Sequence, residues 1–67
     1  MVNTRKLKAK MTERAETNQS MAQKLSMSMS TYSQKLNDKI PFSVWEANSI
    51  SKILSLTLEE KNSIFFA

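Results

Sequence analysis

Glycine is absent from this 67-residue chain, and the only proline is Pro41. Glycine and proline are the strongest local punctuation a chain has, so the limits of its elements must be read from capping residues and apolar spacing. Leu7, Met11 and Ala15 recur at four-residue steps behind a cap at Asn3 or Thr4, which predicts an amphipathic helix from Thr4 to about Arg14. Its other faces carry Arg5, Lys6, Lys8, Lys10 and Arg14. Thr17 can cap a second helix running to about Leu25, with Met21, Ala22 and Leu25 as its apolar side. Ser26-Met27-Ser28 breaks that pattern, and Ser28 caps a third segment, Met29 to Leu36, in which Tyr32 and Leu36 lie four apart among polar residues.

The stretch from Asn37 to Pro41 reads as a turn. Beyond it, Ser43 and Glu46 have the spacing of a capping box, as do Thr57 and Glu60, and each opens a further helix. Val44, Ala47, Ile50, Ser51 and Leu54, broadened by Ile53, trace the buried stripe of the fourth; Phe42 can staple onto Ala47. Leu58, Ile64, Phe65 and Phe66 are the apolar residues of the fifth. No segment alternates convincingly as a strand, so the expected fold is all-α: one compact five-helix bundle over residues 1–67.

The formal charge is +4, unevenly placed: residues 1–39 carry eight Lys or Arg against three acids, residues 40–67 two against three. The amino-terminal part is therefore the one that faces a polyanion, although a Lys-rich helix can equally be a solvated face. The chain has neither Cys nor His, which removes the usual zinc ligands, the thiol nucleophile and the commonest general base. Its six acids are scattered. An enzyme is not expected, nor a cofactor, a metal or a small-molecule substrate. No apolar run approaches the roughly 20 residues that span a bilayer, and no signal-peptide pattern follows the basic start. The expected setting is cytoplasmic, away from membranes.

The order from Thr17 to Asn37 is a polar cap, Met21-Ala22, Leu25, a three-residue turn holding Met27, Ser30-Thr31-Tyr32-Ser33 and Leu36-Asn37. This resembles the helix-turn-helix of the lambda repressor and Cro family, also called the xenobiotic-response-element family. The likeness continues through Leu36-Asn37-Asp38-Lys39-Ile40-Pro41-Phe42, Glu46-Ala47, Ile50, Lys52-Ile53-Leu54, Leu56-Thr57 and Glu60, and so covers nearly the whole chain. The resemblance implies a helix-turn-helix at about 17–37, carboxy-terminal helices at about 43–66, and a phage- or prophage-type regulator of double-stranded DNA. It implies base-edge contact by Met29, Ser30 and Gln34. Gln34 is the most specific of these, because a carboxamide can pair bidentately with adenine. Ser28, Thr31, Ser33 and Lys35 are expected near the groove wall, and Asn18, Gln19, Asn37 and Lys39 at phosphates.

Two departures stand out. The family often has glycine where Ser26 and Asp38 stand, and left-handed backbone at Ser26 would be strained; Asp38 tolerates it better. The third segment also lacks arginine, the commonest reader of guanine, which points to an A·T-rich site or to weak binding. Trp45 falls off the Val44–Ala47–Ile50 stripe, so it is either a core residue or a partner contact. Phe65 and Phe66 pose the same alternative, and a homodimer on a palindromic operator is the expected assembly. A second reading keeps the same scaffold as an antitoxin-like or antirepressor-like interaction module that works through Trp45, Phe65 and Phe66.

Overall fold

The computed structural model describes residues 2–66. Five helices follow one another: α1 (Thr4–Glu13), α2 (Asn18–Lys24), α3 (Met29–Leu36), α4 (Val44–Ile53) and α5 (Leu58–Phe65). Among the described residues there is no strand, and no helix is long and apolar enough to cross a membrane. Each helix begins on a short polar side chain that accepts from the backbone N–H three residues on: Asn3 from Lys6, Thr17 from Ser20, Ser28 from Thr31, Ser43 from Glu46 and Thr57 from Glu60. Glu46 and Glu60 complete the two expected capping boxes, and Ser20 completes a third at Thr17. Helices of seven to ten residues are marginal alone, so these caps act together with burial of one face.

With no glycine available, every helix-to-helix junction nevertheless contains a residue with positive φ: Ala15 (58°), Ser26 (57°), Asp38 (63°) and Ser55 (52°). Each lies just past a helix end and closes a Schellman motif. At the first junction Glu16 N–H reaches Met11 O at 2.8 Å and Ala15 N–H reaches Thr12 O at 3.1 Å. The same pair of bonds recurs at Met27 and Ser26, at Lys39 and Asp38, and at Leu56 and Ser55. Three junctions share one plan, a left-handed residue, one linking residue and a hydroxyl cap: Ala15-Glu16-Thr17, Ser26-Met27-Ser28 and Ser55-Leu56-Thr57. Met27 and Leu56 turn inward against the core. Glu16 instead reaches over α2, accepting from Ser20 Oγ and Lys24 Nζ, each at 2.6 Å. Ala15 is thus an exposed turn residue and not part of the apolar stripe of α1.

All five helices converge on one core. Leu7 and Met11 come from α1, Met21 and Ala22 from α2, Tyr32 and Leu36 from α3, Ala47 and Ile50 from α4, and Ile64 and Phe65 from α5. Leu25 and Leu54, which cap the ends of α2 and α4, complete it. The most extensive helix pairing is α2 on α3; α1 packs on α3 and α5, and α4 on α5. Buried Ala22 keeps α2 slim where it meets α3. Tyr32 is wholly enclosed, and its hydroxyl meets Met11 Sδ at 3.2 Å. Burial, and secondarily the charge of Glu16, push its phenol pKa well above the ordinary range. Phe42 bridges the two halves of the chain, its ring 6.1 Å from Tyr32 and 5.7 Å edge-on from Phe65. The expected stripe of α4 loses one member: Val44, in the first helical position, faces solvent. The Cα radius of gyration, 10.5 Å, is that of a well-packed domain, for which about 11 Å is usual.

Candidate nucleic-acid interface

The outward face of α3 follows from what it buries. Tyr32 and Leu36 point inward four residues apart, so Ser30 and Gln34 fall on the outer side and Ser33 on its flank, while Met29, which shares the inward face by period, is left open in the first turn. Met29 is 55 % exposed, Ser30 and Gln34 are exposed, and Ser33 is half-buried. These four side chains and Asn18, the first residue of α2, line one open hollow of about 350 Å³. Among the described residues, Ser30, Ser33 and Gln34 form no side-chain hydrogen bond, so two hydroxyls and a carboxamide face the hollow unengaged. Asn18 and Gln19 open α2, where the capping box satisfies Ser20 N–H and Thr17 N–H and leaves their own backbone N–H groups without an intrahelical acceptor. Gln19 is exposed beside them.

Other expected contact residues are already engaged within the fold. Ser28 accepts from Thr31 N–H at 3.1 Å and donates to Thr31 Oγ1 at 2.8 Å, so both hydroxyls serve the start of α3. Lys35 is held within the fold: its ammonium is 2.5 Å from Glu46 Oε2, and the two side chains are only 14% and 11% exposed. Asn37 accepts from Lys8 Nζ at 3.3 Å, which ties the end of α3 to α1. Lys39 is exposed after the turn at Asp38, and no side-chain partner is found for it among the described residues.

The basic face of α1 is less free than its composition indicates. Lys10 bridges Glu60 and Glu13, Lys6 donates to Ser63, and Arg14 Nε donates to Leu54 O at 3.0 Å. The Lys10 ammonium and the Thr57 N–H hold the Glu60 carboxyl down at about 2, and its two acidic partners raise the pKa of Lys10. Lys24 and Ser20 similarly lower that of Glu16. The ties of Lys6 to Ser63, Lys10 to Glu60 and Arg14 to Leu54 join residues 40 to 57 positions apart, so no local spacing in the sequence signals them. Arg5, Lys39 and Lys52 are exposed cations that take part in no ion pair among the described residues.

No family model, curated protein or solved structure matches this chain.

Residues expected at a partner surface divide. Trp45 is 65 % exposed, beside Val44, which is equally open. Phe66 is 57 % exposed, but Phe65 is a core residue, 7 % exposed with its ring on Phe42, and is not available to a partner. Val44 and Phe66 share a small cleft of about 110 Å³ with Val2 and Pro41, so these apolar groups, separate in sequence, form one surface. Among the described residues no three acidic side chains gather as a metal site.

Proposed function

We propose that this chain is a sequence-specific double-stranded DNA-binding regulator, in which α2, the Ser26–Ser28 turn and α3 act as a helix-turn-helix. The observation that carries the reading is the hollow at which Asn18, Met29, Ser30, Ser33 and Gln34 meet, with its free hydroxyls and carboxamide on a helix locked from behind by Tyr32 and Leu36. The major groove admits an α-helix and offers each base pair as a distinct pattern of donors and acceptors. Gln34 pairs with adenine there, Ser30 reads or buttresses the neighbouring base, and Met29 meets a thymine methyl. Asn18, Gln19 and Lys39 fix the register at phosphates, from both flanks of α3. Lys35, held by Glu46, is not in this set.

The assembly is a homodimer. Trp45, Val44 and Phe66 supply the apolar surface, and a two-fold arrangement sets two α3 helices about one DNA turn, roughly 34 Å, apart on a palindromic operator. The same surface favours a second reading, an interaction module of antitoxin or antirepressor type on this scaffold. Selection from a random duplex pool separates the two. A recovered half-site whose preference relaxes in Gln34→Ala, by about 1–3 kcal/mol at one base, supports DNA reading. Recovery of no sequence at low salt refutes it.

A further inference from the structure

The only charged side chain in α3 is Lys35, and it is turned away from the hollow into an ion pair with Glu46, the third residue of α4. Both oxygens of this carboxylate are occupied: Oε2 receives Lys35 Nζ at 2.5 Å, and Oε1 receives Ser43 N–H at 2.8 Å. One group therefore starts α4 and at the same time ties α3 to it across the Asn37–Phe42 connection. Burial tends to raise the Glu46 pKa, but the bonds from Lys35 and Ser43 outweigh it and hold the carboxyl below its ordinary value. Withdrawing Lys35 would strand a largely buried carboxylate without a counter-charge, which opposes its transfer to a phosphate.

We infer that Glu46 is a specificity-determining residue: by sequestering Lys35 it makes α3 meet a polyanion as an uncharged hydrogen-bonding surface, and it fixes the helix that does the reading. The inference rests on the DNA-binding reading above. A lysine free to reach phosphate adds affinity on every sequence alike, whereas Gln34 and Ser30 add it on one. Suppressing the first kind of contact on α3 enlarges the fraction of affinity that depends on sequence.

The test is Glu46→Gln, whose amide oxygen still accepts Ser43 N–H and preserves the capping box while the charge on Lys35 is set free. Binding of wild type and variant to a mixed-sequence duplex and to the selected operator is titrated over a range of salt, with melting curves as a check on folding. For Glu46→Gln the mixed-sequence salt slope steepens by about 0.9, and affinity at 0.1 M salt rises roughly eightfold. The ratio of operator to mixed-sequence affinity falls. Lys35→Gln provides the second variant: it leaves the mixed-sequence slope at the wild-type value, because Lys35 is not a phosphate contact in the native protein. An unchanged slope in Glu46→Gln, or a slope in Lys35→Gln shallower by about 0.9, overturns the inference while leaving DNA binding intact. Wild type that binds no duplex at any salt overturns both readings.

Discussion

Replacing Ala15 by glycine removes a Cβ from a position where the backbone is held at φ 58°. Left-handed backbone costs an L-residue about 1–2 kcal/mol, and alanine, unlike asparagine or aspartate, has no polar side chain to offset it locally. Glycine escapes that term but loses more freedom on folding, about 0.4–1 kcal/mol relative to alanine. The difference leaves a net gain of about 0.5–1 kcal/mol. Ala15 is exposed, so no packing is lost, and both backbone bonds of its Schellman motif are retained. For a domain of this size the gain raises Tm by about 2–8 °C. Ser26→Gly and Ser55→Gly act on separate junctions with no shared hydrogen-bond partners, so their effects add, and the triple variant gains about 2 kcal/mol. The assay is thermal and urea unfolding followed by far-ultraviolet circular dichroism, with an unchanged m-value showing that the native and denatured states expose the same surface. A Tm for Ala15→Gly equal to or below wild type refutes the reasoning, since it would mean that the turn is not held left-handed.

Acid should destabilise the fold. The folded-state pKa values of Glu16, Glu46 and Glu60 all lie below their unfolded values, so the stability these groups contribute is complete above pH about 4.5 and is lost as pH falls toward the Glu60 value of about 2; a Tm that holds level from pH 6 to pH 2 contradicts this. Leu54→Ala, at a fully buried position, costs about 2–5 kcal/mol, enough to unfold most of a small domain at 37 °C, whereas Leu58→Ala on the solvent face stays within about 0.5 kcal/mol in the same denaturant titration. Lys39→Ala weakens binding to all duplexes alike and reduces the salt slope by about 1; a loss confined to one sequence contradicts its place at a phosphate. Trp45→Ala abolishes self-association in sedimentation velocity while the circular-dichroism spectrum stays helical, and a wild type that sediments as a monomer with and without DNA refutes the dimer.

Much of the helical plan was legible because caps are local. Thr17, Ser28, Ser43 and Thr57 each bond three residues ahead, and a four-residue span of sequence contains both partners. The outward face of α3 was legible for the same kind of reason, since Tyr32 and Leu36 alone determine which way it turns. What depends on a distant element was not. Phe65 and Phe66 are adjacent and equally apolar, and it is the packing of the core, Phe42 included, that buries the first and leaves the second open. Val44 fits the α4 stripe by period, but in the first turn no neighbouring helix covers it. Lys35 and Glu46 lie eleven positions apart across a turn, so a residue expected at the groove became part of the scaffold. The left-handed Ala15 and Ser55 left a signal that spacing of apolar residues misses: in Ala15-Glu16-Thr17, Ser26-Met27-Ser28 and Ser55-Leu56-Thr57, a small residue precedes a hydroxyl cap by two positions.

Asn3 N–H donates to Ile64 O at 2.7 Å, a bond between the residue that caps the first helix and the last helix of the described chain. Residues 3 and 64 are therefore in contact, so the described part of the chain nearly closes on itself beside α1 and α5. A short peptide bridge between residues 2 and 66, with new termini opened at the exposed Lys39-Ile40-Pro41 stretch, gives a circular permutant of the described domain that keeps every helix whole and the α2–α3 hollow uninterrupted. In that rearranged chain α4 and α5 are synthesised before α1, α2 and α3, so the order in which the parts of the core emerge becomes an experimental variable independent of the contacts they make.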